Sequence, residues 1–399
     1  MRKQIIAAVL VLIASIGLTA CTKDTGDLLP ELTPTPIESG NSNSNIAVED
    51  QIEVGAADAA IITERPVVDG KKQSYLTGEW KDEAIVNRRP MAVMIPDNKP
   101  ALPQYGISKA SVYFEAPMES LGCSRIMGVF EDYDELDHIG PIRSARHYFI
   151  YEAMALDAIY CNWGLAIPYA GPFLNSDRVD NISAAVMGID DPSDEAFARD
   201  EERKAAGYAT EFTGIMTISG YEAAVARHNY RTEYSDTHQD PFPFAQDGYT
   251  VTYEDCADAV KLAPGGFTQN GANGGYGHAM AYFIYDAATH LYTRYQFGEP
   301  QIDEYNNEAL TCRNVVFMIT NGRFYDENKK DYLDFGMNGL NPAWVFTEGK
   351  AIPGYWTRND VDSEPFKYYD ANQEPIIFNQ GKTWICLIWD QYQDLIEFE

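Results

Sequence analysis

Positive charge is scarce in this chain. Its 399 residues carry 30 Lys and Arg against 60 Asp and Glu, a net charge of −30. That balance excludes the broad basic field by which proteins hold nucleic acid or an anionic bilayer surface, though not a small local basic pocket. Histidine is sparse too. The six His show no HExxH or paired spacing, so nothing points to a zinc protease. The six Cys are scattered without a CxxC pair, which removes zinc-ribbon and thiol-redox readings. Residues 265–277 are glycine-rich but lack the Lys-Ser/Thr of a phosphate-binding loop and open no helix, so they read as a mobile loop. No metal and no cofactor is implied.

Apolar and aromatic residues are plentiful. Hydrophobic residues make up 45%, with 26 Tyr and 18 Phe, which favours strand-rich packing. The length suits two folded domains. A targeting segment precedes them. Arg2 and Lys3 give a positive start, and Ile5 to Leu18 an apolar run too short for a comfortable membrane span. Leu18-Thr19-Ala20-Cys21 then matches the lipobox of bacterial lipoproteins. Residues 1–21 are therefore read as a lipoprotein signal peptide, with Cys21 carrying palmitate-type acyl chains that anchor the chain to the cell membrane. Cys123, Cys161, Cys256, Cys312 and Cys386 lie mostly in apolar runs and read mainly as buried thiols, with one disulfide left open.

Residues 22–72 read as a disordered acidic tether. Residues 22–60 hold eight acidic side chains and one basic, too polar to order themselves. About fifty residues of coil span roughly 40 Å. An α/β domain is expected over residues 73–235. Its strands are RPMAVMI (89–95), ASVYFEAPM (110–118), CSRIMGVFE (123–131) and AIYCNWG (158–164). Its helices are HYFIYEAMALDA (147–158), DDPSDEAFARDEERKAAG (190–207) and one capped by Ser219 and Glu222. Residues 236–248 form the join, where Asp236, His238 and Asp240 read as a solvated turn rather than a metal site. Residues 249–399 predict a mainly antiparallel β domain. There Trp344, Tyr355, Trp356, Tyr368 and Tyr369 read as core, with stacking on a sugar or packing against a partner as the other use of such rings.

Two long stretches carry a family. RPMAVMIPDNKPALPQYGISKASVYFEAPME with SRIMGVFEDYDELDHIGPIRSARHYF resembles the N-terminal half of the YerB-like lipoproteins of Gram-positive bacteria. YTRYQFGEPQIDEYNNEALTCRNVVFM, WVFTEGKAIPGYW and YYDANQEPIIFNQGKTWI resemble its C-terminal half. Motif order is kept from about residue 75 to 390. The resemblance implies a layered β/β/α sandwich for the family core and an extracytoplasmic, lipid-anchored location; the family brings no settled activity. The chain departs from the pattern at Pro96 and at Leu121-Gly122-Cys123-Ser124.

GPIRSAR (140–146) is the most specific of these motifs. With a helix starting near Ser144, an anion would meet free backbone N–H groups, the Ser144 hydroxyl and the forks of Arg143 and Arg146, which would share a helical face. Arg125 on the preceding strand and Asp97 complete the candidate ligand site. The competing expectation is that these arginines pair with Glu115, Glu119 and Asp97. The composite reading is a lipid-anchored binding or scaffolding protein of the cell envelope, whose partners are the membrane and an envelope protein or cell-wall glycan. The alternative is a metal-assisted enzyme acting on phosphate-linked envelope glycopolymers. An enzyme requires the arginines and Asp97 to converge in an open cleft; a scaffold requires the arginines buried and paired.

Overall fold

A computed structural model describes residues 52–56, 59–184, 195–268, 273–325 and 331–399. The expected signal peptide, Cys21 and residues 22–51 of the expected tether lie outside the described residues. The strands used below are β1 (Ile52–Gly55), β2 (Met91–Pro96), β3 (Val112–Pro117), β4 (Ser124–Phe130), β5 (Ile159–Trp163), β6 (Asn181–Ala184), β7 (Tyr249–Thr252), β8 (Leu291–Gln296), β9 (Asn314–Thr320), β10 (Gly339–Thr347), β11 (Lys350–Arg358) and β12 (Thr383–Trp389). Two helices matter, α1 (His147–Ala155) and α2 (Ile167–Leu174). The chain is mostly sheet, 41% strand and 18% helix, in a two-domain organisation.

One sheet runs through both parts. From the short strand Ala257–Asp258 its order is β11, β10, β9, β12, β3, β4, β2, β5, β6, with Lys367–Asp370 beside β11. The halves meet where β12 lies parallel to β3, Trp384 beside Tyr113 and Cys386 beside Glu115. The C-terminal half is antiparallel across β9, β10 and β11, while β9 and β12 are parallel.

Burial on both faces explains the near-continuous apolar runs. Met91, Val93 and Ile95 enter one core, Ala92 and Met94 the other. The same alternation sends Trp384, Cys386 and Ile388 one way and Ile385 and Leu387 the other. Tyr148, Phe149 and Ala153 of α1 cover one face; Tyr221, Ala224 and Val225 of the helix Ile218–His228 pack in the opposite core. A smaller sheet containing β8 adds Phe283 and Tyr292 to that second core. Each large apolar side chain so buried contributes roughly 1.5–3 kcal/mol.

Several expectations are corrected. Order extends well before residue 73, because β1 pairs in parallel with β7 and Lys71–Gln73 pairs with Trp80–Asp82. The apolar members of that stretch, Val54, Ala59 and Ile61, pack on Ala245, Val251 and Ile377. The long helix expected over residues 190–207 is only Glu201–Ala205, capped by the Asp200 carboxylate; Phe197–Arg199 instead pairs as a strand with Gly214–Thr217. Residues 190–194 lie outside the described residues. The next helix starts at Ile218, capped by Thr217 rather than Ser219. The glycine-rich segment ends in packed structure: Gly275, at φ +99, lies so close to Pro117 that an added Cβ would sit 2.8 Å from its Cβ, and Tyr276 is buried.

Because both parts share one sheet, they should unfold together. Denaturant titrations followed by tryptophan fluorescence and by far-UV circular dichroism are expected to give coincident midpoints. Two separated midpoints would show that the halves unfold independently.

Candidate functional site

Residues 143–146 are extended and fill the space between β2 and β5. Arg143 N–H donates to the Met94 carbonyl at 2.8 Å, and the Arg143 carbonyl accepts from Trp163 N–H at 3.0 Å. Ala145 N–H donates to Gly164 O at 2.8 Å. α1 begins only at His147, with Arg146 extended at the N-cap. Arg143 and Arg146 therefore do not share a helical face, and Ser144 is not the helix start. Ser144 packs against Gly164, where an added Cβ would come within 2.6 Å of Oγ. The Ser144 group that reaches the arginines is its carbonyl, which accepts from Arg125 Nη1 at 2.7 Å.

The three arginines differ in what neutralises them. Arg146 pairs with Glu119, donates to the Ala145 carbonyl at 2.7 Å, and lies 5.3 Å over the Tyr332 ring. Arg125 is 6% exposed and, among the described residues, has no carboxylate within ion-pair distance. Arg143 sits 5.4 Å over the Phe212 ring, with Glu211 acting on it only at longer range. Among the described residues Arg125, Arg143, Arg199 and Arg358 are the arginines without an ion-paired carboxylate; every other described arginine has one. The Nε atoms of Arg125, Arg143 and Arg146 are buried and unpartnered. Nη1 of Arg125 is taken by the Ser144 carbonyl.

Burial pulls all three guanidiniums below their ordinary range, and for Arg143 the charge of Arg125 adds to that effect. Half-buried Cys123 is within reach of these charges. Burial pushes its thiol up, while Arg125 and Arg143 pull it down and Asp97 opposes them. The corner is thus a concentration of positive charge short of acceptors. It suits an anion with several oxygens.

Asp97 does not join that corner. It is 1% exposed and receives Gln301 Nε2 at 2.9 Å, Gln296 Nε2 at 3.0 Å, Gln104 Nε2 at 3.3 Å and Ser124 Oγ at 3.2 Å. Arg294 Nη2 lies 3.8 Å away. Glu115 is held by the same Arg294 at 2.8 and 2.9 Å, by Trp384 Nε1 at 2.9 Å and by Ser124 Oγ at 2.7 Å. The expected pairing of the GPIRSAR arginines thus occurs only at Arg146 with Glu119. The open cleft containing Asp97, which the enzymatic alternative required, is not formed, because Gln104, Gln296 and Gln301 close over that carboxylate.

Arg294 was not among the expected functional residues. Its signal is the two-residue period of LYTRYQ, which puts Arg294 and Gln296 in phase with buried Tyr292. In the join, Asp240 pairs with Arg65, and His238 packs 4.2 Å from Tyr234 and 4.9 Å from Tyr75.

Stability should fall as pH rises towards neutrality. Burial, then the neighbouring Glu115 charge, pushes the Asp97 carboxyl up to about 7, and burial pushes Glu152 up to about 8. Their folded values exceed the ordinary carboxylate range, so the folded state binds more protons through this window. The resulting stabilisation is full below the unfolded values and is lost as pH rises through about 7 and 8. Thermal melts should therefore give a higher Tm near pH 5 than near pH 8, and Asp97→Asn should flatten the difference. An equal or higher wild-type Tm at the alkaline end would refute this.

The chain matches two family models: the DUF3048 N-terminal domain, a domain of unknown function, over residues 76–229, and the DUF3048 C-terminal domain over residues 273–385. YerB of Bacillus subtilis (strain 168), named as a candidate lipoprotein, is 24% identical over 323 residues, covering 80% of this chain and 87% of YerB. The crystal structure of YerB from Bacillus subtilis shares the fold, with a TM-score of 0.66 at 20% identity over 82% of this chain and 99% of that one.

Proposed function

The chain belongs to the YerB-like family built from the two DUF3048 domains, and from that premise we propose a lipid-anchored protein of the bacterial cell envelope that binds an anionic group at the Arg125–Arg143 corner. Its role is binding or scaffolding on the extracytoplasmic face. The observation that carries the reading is Arg125, a guanidinium 6% exposed and without an ion-paired carboxylate among the described residues, in a chain of net charge −30. A buried charge left unpaired costs stability, and a bound anion removes that cost. Anchoring rests on the lipobox ending at Cys21, supported by the name given to YerB. No helix of the described residues is long and apolar enough to cross a membrane.

The two Arg variants test binding separately from folding. Arg125→Met should lower affinity for inorganic phosphate or glycerol phosphate by roughly ten- to a hundredfold, the worth of one charged hydrogen bond, and keep Tm within a few degrees. Arg143→Gln, at a half-buried position, should weaken binding without unfolding the chain. Calorimetry that finds wild-type and both variants indistinguishable would sink the reading. The anchor is checked separately: Cys21→Ala should abolish metabolic labelling with a palmitate analogue, and retained label would remove the lipid anchor.

A further inference from the structure

The five rings that the sequence places in the C-terminal part divide between two faces of the sheet. Trp356 and Tyr368 are 0% and 2% exposed and enter the same core as Tyr148 of α1. Their chain neighbours Tyr355 and Tyr369 leave the opposite face and stay half-buried, as does Trp344. Strand pairing sets out what shares that second face. Tyr355 of β11 lies opposite Pro342 of β10 on one side and opposite Tyr369 on the other, and Tyr369 is bridged to Pro375. Residues directly opposite project together, so Pro342, Tyr355, Tyr369 and Pro375 form a row straight across the strands. Trp344 and Pro353, also opposite one another, lie beside it. The Tyr355 and Tyr369 rings are 5.5 Å apart with 17° between their planes. That separation is too long for a full sandwich, so the rings are offset and each leaves part of its face open. The layer that covers this side of the sheet ends at Phe398. Its ring lies 5.6 Å from buried Phe346 and 5.1 Å from half-buried Trp344, and Pro353 and Pro375 beyond it are exposed.

We infer that this row binds an uncharged glycan chain laid across the strands, one sugar ring to each strand. Neighbouring strands lie about 4.8 Å apart, close to the length of one pyranose in an extended 1,4-linked chain. Every side chain of the row is a ring. Its apolar faces suit the C–H side of a pyranose, and the phenols and the indole add polar tips for the sugar's hydroxyls. A folded protein partner fits less well. Six side chains, four of them half-buried, fall well short of the roughly 800 Å² per partner that a stable protein interface buries. A peptide strand would find no open backbone along the middle of the row, because β11 is paired on both sides. An anionic polymer is disfavoured by Asp370 and Glu374, each next in the chain to a member of the row, and by the net charge of −30. This site does not depend on the anion reading, since β10 and β11 lie in the other half of the sheet from β2 and β4.

Calorimetry on the chain from residue 22, which keeps every described residue, tests this with chitohexaose, an uncharged 1,4-linked oligomer. On the wild type, the hexamer should bind more tightly than the dimer chitobiose by roughly fivefold or more, because only the hexamer is long enough to cover the row. Hexagalacturonate, which carries a carboxylate on each ring, should bind more weakly than chitohexaose by roughly tenfold or more. Tyr355→Ala and Tyr369→Ala should each weaken the hexamer roughly three- to tenfold, the worth of one stacked ring. Tyr355→Phe and Tyr369→Phe keep the ring face and should stay within about threefold of the wild type. Absence of chitohexaose binding would overturn the inference, as would equal affinity for dimer and hexamer. Hexamer affinity unchanged in both folded Ala variants, or hexagalacturonate binding as tightly as chitohexaose, would overturn it too. Decaproline displacing chitohexaose from the wild type, with its own binding lost in the Ala variants, would make the row a peptide site instead.

Discussion

The contact between Arg294 and Glu115 is the constraint on which the rest of the structure depends. Both side chains are fully buried, one on the smaller sheet and one on β3. Taking two charges out of water costs several kcal/mol per ion, and mutual attraction offsets it only when the remaining lone pairs are also met. Here Trp384 comes from β12, Ser124 from β4, and Gln296 and Gln301 hold the second carboxylate, Asp97. The set is complete only when β3, β4, β12 and the smaller sheet are in place together. Tyr276 adds to the same junction by donating to the carbonyls of Glu115 and Leu387, at 3.1 and 2.8 Å. The two parts therefore fix one another's register through polar groups that neither could bury alone.

That arrangement also decides what remains at the GPIRSAR corner. The chain has twice as many acids as bases, so unpaired arginines reflect placement rather than shortage. Glu115 and Asp97, the carboxylates nearest in the fold's logic, are committed to Arg294 and the glutamines. Glu119 is committed to Arg146. Arg125 and Arg143 are left with carbonyl and ring contacts, Ser144 O for one and the Phe212 face for the other. Such contacts hold a guanidinium in position without neutralising it, which is the condition for recognising an outside anion.

Much of this was legible in the sequence, and the failures have physical causes. β2, β3, β4, β5 and α1 follow from local apolar period, as do the strands after residue 249. The helix expected over residues 190–207 had acidic residues early and Gly207 at its end, but Phe197 and Arg199 were drawn into pairing with Met216 and Gly214. Propensity loses to a strand partner distant in sequence. The pairing of Ile52–Gly55 and of Ile61 depends on β7 and Ala245, nearly two hundred residues away, which local composition does not reveal. Among the site residues, Arg125, Arg143 and Arg146 were visible as a motif. The partner of Glu115 was not, because Arg294 approaches across the junction from 179 residues away.

The two charge systems are kept apart by the pleat of a single strand. Ser124 and Arg125 are consecutive on β4, so their side chains leave opposite faces of the sheet. Ser124 turns towards Asp97 and Glu115; Arg125 turns towards Ser144 and the α1 side, where Tyr148 contributes to its surroundings. Pro96, opposite Arg125 in the β2–β4 register, is the last residue of β2 and has no N–H to continue the ladder. Beyond it the chain carries Asp97 inward to the glutamines. On the β5 edge of β2 the Met94 carbonyl receives Arg143 N–H. Pro96 thus marks the point where β2 stops and the two systems part. A register slip of one residue in β4 would exchange Ser124 and Arg125, placing a guanidinium against Arg294 and a hydroxyl in the corner. Junction and corner are therefore specified by one alternation, and the corner inherits its rigidity from the junction behind it.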